Sequence, residues 1–156
     1  MPTVRKLLNE LEQQLPLGLA ESWDNVGLLW GDPQVELSGV MTCLTLTPDV
    51  AREAIREGAN LIITHHPILF KAVKRITAET PEGRMLLELA RLGVCVYSPH
   101  TAFDSARDGI NQRIALALGI ENPQPLRPLP QSSDGAGRWG QLVLPHSLQG
   151  VLDRLQ

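Results

Sequence analysis

Twice in its first hundred residues the chain passes from an apolar run, through a capped amphipathic stretch, into another apolar run. This alternation restricts the fold more than any other feature. The first run is Val40 to Leu46. Thr47-Pro48-Asp49 follows, with a capping hydroxyl, a proline suited to a first helical turn, and an acid at the positive end of the helix dipole. Val50, Ala51, Ala54 and Ile55 share one helical face, and Gly58 supplies a stop. Leu61-Ile62-Ile63-Thr64 is apolar on consecutive positions, as a strand covered on both faces is. The pattern then repeats. Thr80-Pro81-Glu82 opens a helix whose inward residues are Met85, Leu86, Leu89 and Ala90, Gly93 ends it, and Val94-Cys95-Val96-Tyr97 is the third strand. Strand–helix–strand–helix–strand predicts right-handed crossovers and an α/β fold with a mainly parallel sheet.

The flanks read less sharply. Thr3 can cap a first helix with Val4, Leu7, Leu8, Leu11 and Leu15 along one face, ended by Pro16-Leu17-Gly18. Glu21 to Gly31 is a polar turn running into a short apolar stretch. Asp108 or Ser105 is expected to cap a helix through Ile110, Ile114 and Leu118, closed by Gly119. Residues 121–133 carry Pro123, Pro125, Pro128 and Pro130 and read as a loop or linker. Trp139 to Leu144 reads as a strand. Ser147 then caps a last helix with Leu148, Val151, Leu152 and Leu155 on one stripe, and no stop signal follows. The expected division is an N-terminal α/β metal-binding half over 1–125 and, over 126–156, a linker with the start of a second, incomplete segment.

Composition excludes several classes. At 156 residues and 43% hydrophobic, the chain can bury a core without disulfide staples. Cys43 and Cys95 lie in apolar strand-like runs and read as buried thiols, which suits a reducing cytoplasm. Fourteen basic against seventeen acidic residues leave a net charge of -3, which argues against a broad grip on nucleic acid or anionic membrane. Six aromatic residues provide no stacking platform for single strands. No apolar run approaches the roughly 20 residues of a membrane span.

The chemistry concentrates in the histidines. His65 and His66 directly follow the second strand of the repeat, His100 lies three residues past the third, and Asp104 four further on. Ligands of open parallel sheets bind beyond the carboxyl ends of the strands, so the topology carries all four residues to one edge. Imidazoles with a carboxylate suit Zn²⁺, Fe²⁺, Mn²⁺, Co²⁺ or Ni²⁺. Two adjacent histidines could hold one ion each, or one could bind while the other supports it. The alternative is four separately satisfied polar residues, and convergence on one edge favours metal. Asp24-Asn25 reads as an Asx turn feeding a strand, with a supporting place near the site as the alternative. Gly137-Arg138-Trp139-Gly140 lacks the lysine and spacing of a phosphate loop and reads as a tight turn. His146 reads as a surface residue. Ser22, Ser98 and Ser105 show no nucleophile elbow.

Three blocks, Trp23-Asp24-Asn25-Val26-Gly27-Leu28-Leu29, Ile63-Thr64-His65-His66-Pro67-Ile68-Leu69-Phe70 and His100-Thr101-Ala102-Phe103-Asp104, occur in the order and separation of one family. With Gly109-Ile110-Asn111, Leu118-Gly119 and Gly137 to Leu142, the chain resembles the Nif-three-like family, whose bacterial members carry the name type 2 GTP cyclohydrolase I. The resemblance implies a three-layer α/β/α architecture, a toroidal homo-hexamer with its sites facing an internal cavity, and two divalent transition-metal ions. It implies His65, His66 and Asp104 as metal ligands and His100 as a neighbour, a candidate acid or base. The implied activity is metal-dependent hydrolysis of a small molecule, with hydrolytic opening of the GTP purine ring as the named reaction. A non-catalytic metal-binding regulatory scaffold is the alternative, and metal storage or delivery a third.

The chain departs from the family pattern in three places. Thr45 stands where the family often has Asp, and Ala102-Phe103 where it usually has Asn-Leu. The further His and Glu ligands that family members supply from a helix near the C-terminus have no counterpart among these residues. The expectation is that 156 residues are part of a longer chain.

Overall fold

Neighbouring residues of the central strands point to opposite apolar layers, and this alternation organises the molecule. The structure is a computed structural model that describes residues 1–130, 132–143 and 147–155. The expectations for His146 and for Leu144 fall outside the described residues.

Helix α1 spans Val4–Gln14, and its N-cap Thr3 accepts a hydrogen bond from the Lys6 N–H. Strand β1 is Gly27–Trp30, β2 Val40–Thr45, α2 Pro48–Arg56, β3 Leu61–His66, α3 Pro81–Arg91 and β4 Cys95–Ser98. The Thr47 and Thr80 hydroxyls cap α2 and α3 as the sequence predicts. The sheet order is β1-β4-β3-β2, with β2, β3 and β4 parallel and β1 antiparallel on β4. The sheet is therefore mixed and mainly parallel. Leu61, Cys95 and Tyr97 pack with Val4 and Leu8 of α1 on one face. Ile62 and Val96 pack with Ala51 and Ala54 of α2 and with Met85, Leu86 and Leu89 of α3 on the other. That makes three layers, α/β/α. Burying one such large apolar side chain stabilises the fold by about 1.5–3 kcal/mol.

Beyond the sheet lie α4 (His100–Ser105), α5 (Ile110–Ala117), β5 (Ile120–Gln124), β6 (Arg127–Pro128), β7 (Gly135–Ala136), β8 (Trp139–Leu142) and α6 (Leu148–Leu152). β5 pairs with β8 and β6 with β7, both antiparallel.

Several expectations are corrected. His65 and His66 are the last two residues of β3 and do not follow it. Residues 121–133 are not a plain loop, because β5 and β6 lie within them. Proline misleads there: Pro123 sits where the β5–β8 register shifts, a place that needs no ladder donor, and Pro128 lies in a two-residue edge strand. The cap of α5 is Gly109 without a side-chain bond, and neither Asp108 nor Ser105. A Cβ on Gly109 would lie 1.9 Å from the Phe103 carbonyl oxygen, so close approach explains the glycine. Ala90 and Ile114 are exposed. Ser147 caps α6 as expected, but Leu148 and Leu152 are exposed. No helix among the described residues is long and apolar enough to cross a membrane.

Candidate metal centre

The parallel register places the site. Leu61 pairs with Cys95 and Ile63 with Tyr97, while Thr45 at the end of β2 pairs with His66. The carboxyl ends of three strands thus meet at one edge. The Ser98 hydroxyl donates to the His65 carbonyl at 2.7 Å and ties the ends of β4 and β3 together.

Three imidazoles converge there. Ring centroids are 5.3 Å apart for His65 and His66, 5.2 Å for His65 and His100, and 6.1 Å for His66 and His100. Asp104 comes from α4, and its Oδ1 lies 3.9 Å from His65 Nε2, too far for a hydrogen bond. All four residues that the sequence places at this edge are brought together. Among the described residues they do not close as a set of three or more around one point. What they form is the His65–Asp104 pair with His66 and His100 beside it.

Each imidazole has a different footing. His66 Nδ1 lies 2.7 Å from the Thr45 hydroxyl, so its Nε2 remains the open donor. His100 Nδ1 lies 2.9 and 3.0 Å from the two carboxylate oxygens of Asp24. His65 Nδ1 is buried and has no partner among the described residues. Burial pushes the His65 imidazole below its ordinary pKa, against the pull of Asp104, with His100 and His66 adding to the lowering. The lowering favours the neutral ring, the form that ligates metal.

Asp24 is the residue that sequence reasoning undervalued. The expected Asx turn exists, since the Asn25 N–H donates to Asp24 Oδ1 at 2.7 Å. The carboxylate, however, is fully buried, and it also accepts from the Thr101 N–H at 3.1 Å and from the Thr101 hydroxyl. Burial pushes its pKa up, but the bonds from Thr101, His100 and Asn25 outweigh that and hold the carboxyl below its usual range. An ionised Asp24 fixes the proton of His100 on Nδ1 and leaves a lone pair on Nε2. His100 also has φ +29°, an uncommon conformation for a residue with a side chain. Such strain persists where surrounding bonds over-determine it, and here Asp24 supplies them. The available signal was the Trp23-Asp24-Asn25 block itself. Thr45 was visible only as a departure from the family pattern, yet it occupies the position that supports His66.

The donor chemistry, imidazoles with a carboxylate, suits divalent transition metals, although the four residues do not converge on one point among the described residues. Two imidazoles have Nδ1 anchored to side-chain oxygens, the usual footing of ligating histidines, and the half-buried third, His65, has neither ring nitrogen hydrogen-bonded among the described residues.

Comparison with known proteins settles the lineage. The family profile of Duf34/NIF3 (NGG1p interacting factor 3) matches residues 2–156. The chain belongs to the Duf34/NIF3 family. It is 38% identical over 155 residues to the GTP cyclohydrolase 1 type 2 homolog of Clostridium acetobutylicum, covering 98% of this chain and 58% of that protein. It is 42% identical over 146 residues to the Protein NIF3 homolog of Schizosaccharomyces pombe, covering 87% of this chain and 52% of the relative. Among solved structures, a Bacillus cereus protein related to NIF3 superposes with a TM-score of 0.79 at 32% identity, over 83% of this chain and 36% of that one. This Duf34/NIF3 chain thus spans about half the length of these curated relatives.

Proposed function

We propose that this Duf34/NIF3 chain carries one part of a dinuclear metal site, with His65, His66 and Asp104 as ligands, in a metal-dependent hydrolase. The observation that supports it most is the clustering of three imidazoles 5.2–6.1 Å apart, two of them oriented through Nδ1 by Thr45 and Asp24. Divalent ions held there would supply Lewis acidity and a more acidic water. His100, with Nδ1–H on Asp24, has Nε2 free to accept a proton, which suits a general base. The relatives' name points to the purine ring of GTP as the bond system opened, and that substrate is part of the proposal, as is assembly into a hexamer.

Elemental analysis after purification tests the first claim. Bound Zn, Fe, Mn, Co or Ni is expected in the wild type, with loss in His66→Ala while the circular dichroism spectrum is kept. A metal-free wild type would remove the proposal. Thr45→Val should weaken metal binding roughly 10- to 100-fold by releasing His66 Nδ1. Incubation with GTP and a nucleotide panel, followed by formate release and ultraviolet absorbance, tests the hydrolase claim. Metal without turnover would favour the regulatory scaffold.

A further inference from the structure

A cleft of about 400 Å³ opens beside His66, between the core and the segment 67–80 that links β3 to α3. Its size falls within the roughly 300–1,000 Å³ of small-molecule sites. The floor is the core itself: Leu46, Met85 and Leu86 line it and are at most 8% exposed. The outer wall is the linking segment, where Phe70, Val73 and Ile76 are 48%, 52% and 36% exposed. Leu69, at the bend, has φ +55°, an uncommon conformation for leucine. Both hydroxyls of the lining are already engaged, Thr45 with His66 and Thr80 with the Gly83 N–H.

Its charge is lopsided. Lys71 and Arg75 lie in the lining against a single acid, Glu82, and neither cation forms an ion pair among the described residues. An apolar floor with two uncommitted cations at its rim is the complement of a molecule with an apolar body and an anionic head.

We infer that this cleft binds an anionic small molecule with an apolar body, carboxylate- or phosphate-headed, whose body rests on Leu46, Met85 and Leu86 and whose charge meets Lys71 and Arg75. Because His66 lines the same cleft, the bound molecule lies next to the proposed metal centre; only this last point rests on the hydrolase reading.

Ligand-observed NMR titration of the full chain with phenyl phosphate tests it, with phenylacetate as the carboxylate arm and benzylamine as the cationic control. Each is run on chelator-treated and on metal-loaded protein. Saturable binding of at least one anion and none of benzylamine is expected. Lys71→Glu with Arg75→Glu should weaken binding roughly tenfold, and Ile76→Ser roughly threefold. All three positions are exposed, so these variants should fold. Chelation should leave the affinity within about twofold. Anion binding that vanishes on chelation but ignores charge reversal would place the anion on the metal and overturn the inference. Equal binding of benzylamine, or no saturable binding, would also overturn it. A wild type that holds no metal yet still binds phenyl phosphate would leave it standing while the hydrolase proposal fell.

Discussion

The two ends of the chain are held by different physics. From α1 to α4 the structure has a sheet with apolar layers on both faces, and Leu61, Ile62, Cys95, Val96 and Tyr97 are inaccessible to solvent. From β5 onward, Gly135 alone is buried among the residues whose burial is described, while Leu126, Trp139, Val143 and Leu148 are exposed. Polar ties hold this second region. Arg138 donates to Gln112 Oε1 at 2.7 Å and to the carbonyls of Gly135, Gly137 and Ala106 at 2.6–2.8 Å. The Arg107 N–H donates to Asp134 at 2.7 Å, and Arg154 to the Leu118 carbonyl at 3.0 Å. Burial pushes the Arg138 guanidinium's pKa down while Asp134 pulls it back. The candidate metal centre belongs to the region with the apolar core, where position is fixed by packing that cannot yield piecemeal.

The largest effect should come from the core. Leu61→Ala leaves a cavity between β3 and α1 and should cost about 2–5 kcal/mol, read as a lowered urea midpoint with an unchanged slope. A loss below 1 kcal/mol would mean that this layer is not the main support. Arg138→Met comes next. It strands three carbonyls and the Gln112 amide and should cost about 2–3 kcal/mol. Its signature is local: amide exchange should quicken in β5, β7 and β8 while β3 and β4 keep their protection. Uniform acceleration would break the contrast between the two regions.

The sheet was legible because its signals are local and redundant: Thr47-Pro48-Asp49 and Thr80-Pro81-Glu82 announce helices, and Leu61 to Ile63 announces a doubly covered strand. The second region was less so, because Pro123 and Pro128 read as breakers until a partner strand shows that their missing N–H groups are not needed there. At the site, the convergence of His65, His66, His100 and Asp104 followed from topology alone. Asp24 did not, since its partners Thr101 and His100 lie more than 70 residues away in sequence and its Asx-turn bond to Asn25 masks the rest.

Asp24→Asn sharpens this point. The substitution keeps an acceptor but removes the charge that fixes the His100 proton, and should cost about 1 kcal/mol at pH 7. The folded carboxyl titrates below the unfolded value of about 3.9. Its contribution is therefore fully present above that value and is lost as pH falls through the folded one. The stability gap between wild type and Asp24→Asn should persist from pH 7 to about pH 5 and close below pH 4 in a urea series. A gap unchanged at pH 3 would show that the carboxylate's charge contributes nothing.

The smallest expected effect tests the second region from its surface. Leu148 is 77% exposed on α6, so Leu148→Ala should change stability by less than about 0.5 kcal/mol. The result is informative because Leu148 shares its helix face with Leu152 and Val151, of which Leu152 is also exposed. If the fold of one copy is all that protects this stripe, the small value should not vary with protein concentration. A cost above 1 kcal/mol that grows with concentration would mean the stripe is covered by a second copy. The weak packing of the second region would then be a property of the single chain and not of the protein in solution.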